Sequence, residues 1–269
     1  MTNIVTLTSD FGTKDYYVAE IKAAILGICP CAVIVDITHE IAKFNVQMGS
    51  FALASATPYF PEGSVHVAIV DPGVGTSRRS IAIKTRKNFF VGPDNGLLIF
   101  AAEKHRIIRI HEITNLHYML PEPSSTFHGR DVFAPIAAHL VNGVKIEFFG
   151  PQISDVEKPN FAQARQKGKV IFGEILHVDS FGNIITNIGQ ELLSKISLKS
   201  LVRIGLPSHD LKLKFCKTYG ETLPSEPLAL IGSHSLLEIS VNQGSAADRY
   251  KIKSGDKIMV AAFENSVFN

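Results

Sequence analysis

The sequence predicts an α/β domain followed by an all-β domain, and three observations support this fold class. The first half alternates apolar β-type runs with helical patterns, which is typical of a mostly parallel sheet flanked by helices. A polar, proline-containing stretch with little periodicity follows residue 150. Beyond it, short β runs recur between Gly and Pro turns, as in a small barrel. We therefore expect an α/β domain at 1–155, a linker at 156–168 and a β-barrel-like domain at 169–269.

Apolar spacing predicts the elements of the N-terminal domain in turn. The run NIVTLT predicts a first strand over 3–8. A helix follows from about Asp15, because apolar residues recur every three or four positions until Pro30 ends the pattern. The later elements of this half are predicted as strand 32–37, helix 46–59, strand 65–70, a β pair at 80–85 and 88–91, helix 96–104, strand 106–111 and helix 132–141.

The C-terminal domain is predicted from short β runs alone. Each run is rich in β-branched and other apolar residues and is bounded by turn residues, and such closely spaced strands favour a sandwich or barrel. The predicted strands cover 169–178, 183–188, 201–204, 211–215, 228–231, 236–241 and 257–262.

Composition excludes several classes of protein. With 45% hydrophobic and 19% charged residues, the chain can bury a sizeable core, which argues against disorder. The net charge of +2 and the lack of a long basic run make nucleic acid a poor candidate partner. We see neither a signal peptide nor an apolar run of membrane-spanning length, so no membrane association is expected. The 3 cysteines are sparse and odd in number, which favours reduced thiols and a cytoplasmic location.

Two carboxylates follow the first predicted strand. Ligands of α/β sheets bind beyond the carboxyl ends of strands, so Asp10 and Asp15 are placed to bind a polar ligand such as a ribose diol. Either residue would equally serve as the N-cap of the helix that follows. From spacing alone the cap is the simpler interpretation.

The third predicted strand leads into the segment DPGVGTSR, residues 71–78. Its glycines permit a tight turn and a close backbone approach to a ligand. The segment is neither a phosphate loop nor a dinucleotide fingerprint, because it lacks the Lys-Ser/Thr ending and the third glycine. Asp71 and Arg78 therefore belong either to an ordinary turn with a surface arginine or to a site.

His128 stands between Phe127 and Gly129 at the start of a predicted helix. The chain has 10 histidines, most of which we expect at the surface or in packing. Neither HExxH nor a pair of CxxC motifs is present, so no metal site is expected.

Two polar clusters lie in the predicted β domain. Asp179, Phe181 and Asn183 fall at the end of a strand, where an aromatic face and amide and carboxylate groups suit a purine. Ser233 belongs to a second turn, GSHS. Each cluster taken alone is better explained by an ordinary turn than by a site.

Six segments together carry a resemblance that no single motif carries. They are TSDFGTKD, VDPGVGTSR, FVGPDNGLL, TFHGRDVFAP, VDSFGNIITNI and IGSHSLLEISVNQGSA, in that order. The chain resembles S-adenosyl-L-methionine (SAM) hydroxide adenosyltransferases, the SAM hydrolases related to fluorinating and chlorinating enzymes, over nearly its whole length. The resemblance implies an α/β domain and a β-barrel domain, and a homotrimer with active sites at subunit interfaces. It further implies hydrolysis of SAM to adenosine and L-methionine by attack at the ribose 5′ carbon, without a cofactor.

The resemblance also implies roles for individual residues. The water-activating Asp, Arg and His of the family fall on Asp71, Arg78 and His128, and which of Asp71 and His128 accepts the proton stays open. The residues implied to bind substrate are Asp10 at the ribose, Asp15 near the methionine ammonium, Phe127, the segment Asp179, Phe181 and Asn183, Tyr219 as an adenine-stacking ring, and Ser233 near the methionine carboxylate.

Two departures separate this chain from the halogenases. Ile185 stands where they stack a tryptophan on adenine, and His234 stands where they carry an arginine. A halogenase remains the alternative, but Asp71 replaces an uncharged tyrosine and Gly129 replaces a halide-binding serine. A carboxylate repels a halide, so the electrostatics favour water as the nucleophile. A non-catalytic SAM- or adenosine-binding protein is a third hypothesis.

Overall fold

A computed structural model describes residues 2–159, 163–196 and 200–262. The chain divides into two compact units, unit 1 over Met1–Asn160 and unit 2 over Phe161–Asn269. Parts of the predicted linker and C-terminal domain, residues 160–162, 197–199 and 263–269, lie outside the described residues. Within the described ranges, no helix is both long and apolar enough to cross a membrane.

Unit 1 contains a mixed sheet with helices on both faces. Its strands are β1 (Ile4–Ser9), β2 (Val33–Thr38), β3 (Val65–Ile69), β4 (Ser80–Thr85), β5 (Phe89–Pro93), β6 (Ile107–Glu112) and β7 (Gln152–Ile153). Its helices are α1 (Tyr17–Ile28), α2 (Val46–Ala56), α3 (Ile99–Lys104) and α4 (Ala134–Val141). The strand order among the described residues is β2-β1-β3-β5-β4-β6-β7.

The sheet is half parallel rather than mostly parallel. Strands β2, β1, β3 and β5 run parallel to their neighbours, with Thr6 opposite Val35 in β2 and His66 in β3. The other half is antiparallel. β4 pairs with β5 as a hairpin, β6 pairs with β4, and β7 pairs with β6, each in the antiparallel direction. The α/β class is confirmed, and the antiparallel half follows from the short connection at residues 86–88, which is too short for a crossover.

Alternating side chains of the parallel strands build two cores. Val67 faces a core shared with α1 and α4, whereas its neighbour Ala68 faces a core shared with α2 and α3. In α1, Ile21 and Ile25 are buried one turn apart, which confirms the helical spacing. In α2, the Asn45 Oδ1 accepts a hydrogen bond from Met48 N at 2.9 Å and caps the helix.

Two predicted helices differ from the observed ones at their ends. The predicted helix 46–59 ends at Ala56 and continues as a 3₁₀ turn over Thr57–Tyr59, because Pro58 suits a tight turn and not a helix interior. The predicted helix 132–141 is preceded by a π-helical turn over Gly129–Phe133 and becomes α-helical from Ala134.

Unit 2 is a barrel of antiparallel strands closed by one shared strand. Its strands are β8 (Arg165–Lys167), β9 (Val170–Val178), β10 (Ile184–Gly189), β11 (Leu201–Leu206), β12 (His209–Cys216), β13 (Pro227–Ile231), β14 (Leu236–Val241) and β15 (Lys257–Ala262), with short helices α5 (Gln190–Leu193) and α6 (Ala246–Tyr250). In the described ranges, β9 pairs with both β15 and β10, which closes a ring from which β8 is left outside. Only β12 and β13 pair in parallel among these strands.

Two strands lie in the polar stretch after residue 150, and one of them, β8, falls within the predicted linker 156–168. β7 pairs with β6, and β8 pairs with β9, so the polar segment after residue 150 contributes an edge strand to each unit. All three residues of β8 are exposed and polar. Such a strand has no apolar alternation, which is why the sequence pattern does not reveal it.

Candidate active site

Adjacent parallel strands bring two predicted site residues to one edge of the unit 1 sheet. Asp10 follows the last residue of β1, and Asp71 comes two residues after the end of β3. The two strands are in register up to Ser9 and Ile69. Both carboxylates therefore lie beyond the carboxyl ends of neighbouring strands, where ligands of α/β sheets bind.

A tight turn returns the chain so that Arg78 meets Asp71. Val74 N donates to Asp71 O at 3.3 Å, and Gly75 takes the left-handed conformation with φ 76°. A Cβ at Gly75 would lie 2.3 Å from the carbonyl oxygen of Ser125, so only glycine fits this close backbone approach. The turn thus explains the second glycine of the segment.

The guanidinium of Arg78 binds Asp71 through two parallel hydrogen bonds. Arg78 Nε donates to Asp71 Oδ1 at 3.1 Å, and Nη2 donates to Oδ2 at 2.5 Å. Nη1 donates to the carbonyl of Arg79 at 3.0 Å and to Ser80 Oγ at 2.9 Å. The Phe133 ring lies 5.5 Å from Cζ. These contacts fix the guanidinium in a single orientation.

His128 completes the cluster through its Nδ1 atom. Arg78 Nη2 lies 3.0 Å from His128 Nδ1. A guanidinium has no acceptor, so Nδ1 accepts this hydrogen bond and a neutral imidazole carries its proton on Nε2. The structure therefore brings Asp71, Arg78 and His128 together around one guanidinium.

Burial shifts the pKa values of both titratable partners. Burial raises the pKa of Asp71 above its usual value, against the opposing effect of Arg78. Burial, followed by the charge of Arg78, lowers the pKa of His128 below 6.5. The imidazole is therefore neutral at pH 7, and the carboxylate is a stronger base than an exposed aspartate.

Asp10 and Asp15 do not cap the first helix. The N-cap residue of α1 is Tyr16, which makes no side-chain cap hydrogen bond, so the cap interpretation is wrong for both carboxylates. Asp10 is buried, and its Oδ2 accepts from the backbone N–H of Phe44 at 2.8 Å. Asp15 is exposed before the helix. Asp10 is thus held by a distant loop, at a site that a local cap pattern does not anticipate.

Phe127 belongs to an aromatic cavity in unit 1. Its ring packs edge-on against Phe11 at 5.8 Å and Tyr17 at 5.3 Å, and Arg130 Cζ lies 5.1 Å from its centroid. The cavity, about 380 Å³ in volume, is lined by Phe11, Tyr16, Tyr17, Glu20, Ser124, Thr126, Phe127 and Arg130. Sequence reasoning missed the three aromatic residues from 11 to 17, although they flank Asp10 and Asp15 in the chain.

In unit 2, the Asp179 carboxylate organises a turn. Oδ1 accepts from the backbone N–H groups of Phe181 and Asn183, each at 2.9 Å, and Oδ2 accepts from Asn183 Nδ2 at 2.9 Å. Gly182 has φ 82°, and a Cβ there would lie 2.1 Å from Ser245 Oγ. The turn leaves the Phe181 side chain 77% exposed. The Asp179 carboxylate thus fixes the conformation of the turn, and the turn exposes the Phe181 ring to solvent.

The same turn lines a cavity of unit 2 that is larger than the aromatic cavity of unit 1. This cavity has a volume of about 670 Å³ and is lined by Asp179, Phe181, Asn183, Tyr219, Val241, Asn242, Gln243, Gly244 and Ser245. Four of the predicted substrate-binding residues meet there. The segment 241–245 belongs to the sixth motif segment, but none of its residues was predicted to bind substrate.

Tyr219 and Ser233 differ in their surroundings. The Tyr219 hydroxyl donates to Glu238 Oε1 at 2.6 Å, and burial together with this hydrogen bond raises the pKa of the phenol. Ser233 is exposed on the turn between β13 and β14, with Oγ 3.3 Å from His234 Nδ1. Ser233 does not line the cavity that contains Tyr219.

Across the residues that the structure describes, no group of three or more His, Cys, Asp or Glu side chains is placed to hold a metal ion. The Asp71–Arg78–His128 cluster supplies a carboxylate, a guanidinium and an imidazole.

Comparison with known proteins assigns both units to one family. Residues 5–150 match the family model described as the SAM hydroxide adenosyltransferase N-terminal domain, and residues 173–259 match the corresponding C-terminal domain. Together these matches cover most of the chain.

Relatives of two activities are similar over nearly the whole chain. An (R)-S-adenosyl-L-methionine hydrolase of Methanocaldococcus jannaschii is 38% identical, with 96% of this chain and 95% of that protein covered. One of Thermus thermophilus is 37% identical, with 93% and 96% covered. A fluorinase of an Actinoplanes species is 30% identical, with 96% and 97% covered.

A solved structure supports the same assignment. A crystal structure of an uncharacterized conserved protein from Thermotoga maritima has a TM-score of 0.91 and 40% sequence identity, and covers 96% of this chain and 99% of that one. The resemblance expected from the six segments is confirmed. The chain belongs to the SAM hydroxide adenosyltransferase family.

Proposed function

We propose that the protein hydrolyses S-adenosyl-L-methionine to adenosine and L-methionine, by attack of an activated water at the ribose 5′ carbon. The observation that carries this proposal is the Asp71–Arg78–His128 cluster, in a chain 38% identical to a relative named as a hydrolase of this compound. The protein acts without a metal or organic cofactor, since the reaction needs only a proton acceptor and a positioned water.

The chemistry requires help for the nucleophile and not for the leaving group. Methionine leaves from a sulfonium as a neutral thioether, so no general acid is needed. Water is a weak nucleophile with a pKa of about 15.7, and a positioned base typically contributes about 10²–10⁴-fold. As the new O–C5′ bond forms, the C5′–S bond breaks, its electron pair stays on sulfur, and a water proton moves to the base.

Asp71 is the proton acceptor in this proposal. His128 Nδ1 is engaged by Arg78, so the neutral imidazole presents an Nε2–H, which donates and does not accept. Asp71 keeps lone pairs that Arg78 does not use, and burial raises its pKa. Arg78 holds both partners in place and stabilises the developing hydroxide charge. His128 orients the water by donating to its oxygen.

Substrate recognition is divided between the two units. In unit 1, Asp10 binds the ribose diol, Asp15 the methionine ammonium, and Phe127 lines the pocket. In unit 2, the aromatic, carboxylate and amide groups of the larger cavity bind adenine and methionine: Asp179, Phe181, Asn183 and Tyr219. Ser233 contacts the methionine carboxylate. The exposed ring of Phe181 and the fixed hydroxyl of Tyr219 suit stacking on a base.

The assembly and location are part of the same proposal. We propose a homotrimer with active sites at subunit interfaces, as the family resemblance implies. A trimer of 29.4 kDa chains is distinguished from a monomer by light scattering. We also place the protein in the cytoplasm, because all cysteines of the described residues are free thiols, which a reducing compartment preserves.

Fluorination is the alternative that the site disfavours. Asp71 places a carboxylate where a halide would approach, and Gly129 offers no hydroxyl to bind one. A Cβ at Gly129 would lie 3.0 Å from Ile69 Cδ1, so a serine there would require the end of the Ile69 side chain to shift slightly. The site therefore suits water better than a halide.

The proposal is tested by incubating the purified protein with SAM. We expect adenosine and methionine in equal amounts, with oxygen from ¹⁸O-labelled water in the 5′-hydroxyl of adenosine. Excess fluoride or chloride should produce no 5′-halo-5′-deoxyadenosine. A halogenated product would favour the halogenase, and tight SAM binding without turnover would favour a binding protein.

A further inference from the structure

We propose that unit 1 carries a second binding site, for a small anion with two or more phosphate groups. The site is a cavity of about 380 Å³ that the proposed hydrolysis does not use. It is lined by Pro58, Arg86, Lys87, Lys104, His105 and Arg106. Its volume falls within the range of small-molecule pockets, about 300–1,000 Å³.

The cavity lies at the opposite edge of the sheet from the Asp71 cluster. Arg86 and Lys87 form the turn between β4 and β5, and residues 104–106 connect α3 to β6. The parallel strands begin at this edge, whereas Asp10 and Asp71 follow the ends of β1 and β3. The length of β3 alone separates the two edges by about 15 Å, at roughly 3.3 Å per residue. The two sites are therefore distinct.

Backbone hydrogen bonds hold the walls of the cavity together. Arg86 N donates to the carbonyls of His105 and Arg106 at 3.2 and 3.1 Å, and Lys87 O accepts from Gly63 N at 2.7 Å. The buried His105 ring lies at the inner side, with Nε2 3.2 Å from Thr57 Oγ1. The two basic segments are thus fixed beside each other before any ligand binds.

The cations of this cavity have no counter-ion among the described residues. Its lining includes no acidic residue, and Arg86, Lys87, Lys104 and Arg106 form no ion pair with a described residue. The charges of Lys87 and Lys104 add to burial in lowering the pKa of His105. Four exposed cations therefore gather at this edge without a paired carboxylate among the described residues, and Lys104 Nζ lies 4.8 Å from the centroid of the Phe100 ring.

The other arginines of unit 1 provide an internal comparison. Each of them pairs with a carboxylate: Arg78 with Asp71, Arg79 with Asp94, Arg109 with Glu147 and Arg130 with Asp131. Arg86 and Arg106 are the remaining arginines of the sequence of this unit, and both line the cavity. A cation at the carboxyl end of α3 complements the helix dipole, which gives Lys104 a structural reason to be there. The other three cations of the cavity have no such reason.

The chemistry of the lining selects the ligand class. Guanidinium groups bind phosphate oxygens with paired hydrogen bonds, and lysines add point charges. One phosphate group carries a charge of about −2 at most at neutral pH, so four cations match two or more phosphates. The whole chain has a net charge of only +2, so this is a local site and not part of a basic surface that would follow a nucleic-acid backbone.

The test measures binding of inorganic triphosphate to the full-length protein by calorimetry. We expect one site per chain, affinity that falls as salt increases, and weaker binding of orthophosphate. Arg86→Glu and Lys87→Glu should each weaken triphosphate binding by about tenfold or more, since a hydrogen bond to a charged group contributes about 1.5–3 kcal/mol. Both variants should retain SAM hydrolysis. Lys145→Glu, at an exposed lysine outside the cavity, should bind triphosphate like the parent protein.

Three outcomes would overturn the proposal. These are no saturable triphosphate binding, equal binding by the parent and Arg86→Glu proteins, or tight binding of a single-stranded oligonucleotide that triphosphate fails to displace. If charge reversal prevents folding, Arg86→Gln and Lys87→Gln replace the glutamate variants. The measurement is then the rise in Tm that triphosphate causes in each variant and in the parent protein. An equal rise in the parent and both glutamine variants would also exclude the site.

Discussion

The proposed site residues of unit 1 and those of unit 2 differ in how they are held. The Arg78 and Asp71 side chains are only 7% and 6% exposed and are fixed by several charged hydrogen bonds. In unit 2, Phe181 is 77% and Tyr219 is 43% exposed, and a turn built on Asp179 supports the first of them. The charged Asp71–Arg78 pair is thus buried and held by charged hydrogen bonds, whereas the aromatic rings of Phe181 and Tyr219 keep a face open.

The difference follows from the physics of each task. A charge acts more strongly where water is excluded, but burying it is costly unless partners compensate, as Arg78 does for Asp71. An aromatic ring stacks through its exposed face and needs only a rigid support. We therefore expect substitutions in the Asp71–Arg78–His128 cluster to change kcat and substitutions of Phe181 and Tyr219 to change KM.

The largest effect is expected from Asp71→Asn. The amide keeps the shape of the side chain but cannot accept the water proton, so kcat for adenosine release should fall by about 10²–10⁴-fold. Steady-state kinetics with SAM measures this loss.

Asp94→Asn is the matched control for this substitution. Asp94 is also buried and pairs with Arg79 at 2.7 Å, at the end of a neighbouring strand. Its loss should lower the free energy of unfolding while kcat of the folded protein stays unchanged. Equal losses of kcat in the two variants would show that Asp71 acts only through stability.

Acid should destabilise unit 1 before unit 2. Among the described residues, burial lowers the pKa of His66, His105, His128 and His139 in unit 1 and of His177 in unit 2. A histidine with a folded pKa below its unfolded value of 6.5 contributes full stability above pH 6.5 and loses it as the pH falls toward the folded pKa. For His66 that pKa is about 3, so this group alone should cost about 2 kcal/mol at pH 5.

Hydrogen exchange measured by mass spectrometry follows the two units separately. Peptides of unit 1 should lose more protection than peptides of unit 2 between pH 7 and pH 5, after correction for intrinsic exchange rates. His66→Gln should reduce this sensitivity, whereas His117→Gln, at an exposed histidine, should not. Earlier loss of protection in unit 2 would contradict the expectation.

The smallest effect is expected from Phe181→Ala. Loss of one stacked ring removes about 0.5–1.5 kcal/mol, so KM for SAM should rise by up to about tenfold with little change in kcat. Phe172→Ala is the control, because Phe172 is 46% exposed in unit 2 but does not line the cavity. An unchanged KM in the first variant, or an equal change in both, would exclude Phe181 from the substrate site.

Strong apolar periodicity made several elements of unit 1 predictable. The strand before Asp10 and the helix through Ile21 and Ile25 were predicted to within a few residues, because one buried face repeats along each element. The short strand β8 was not predictable, since its stability comes from pairing with β9 and not from its own polar side chains.

The two carboxylates near α1 show where local reasoning fails. A carboxylate just before a helix matches the pattern of a cap, yet Asp10 binds the backbone of Phe44, 34 residues away. The contact depends on where a distant loop returns to the sheet. No spacing within the segment itself carries that information.

The amino-acid sequence by itself determined the α/β and barrel classes, the order of the six segments and the residue types of the proposed triad. Periodic burial and turn chemistry are local, so they can be read along the chain. Only the tertiary structure decided that Arg78 Nη2 bridges Asp71 and His128, and that two short basic segments form one cavity. Such arrangements depend on strand register and loop return, which bring Arg78 and His128, 50 positions apart, within hydrogen-bond distance.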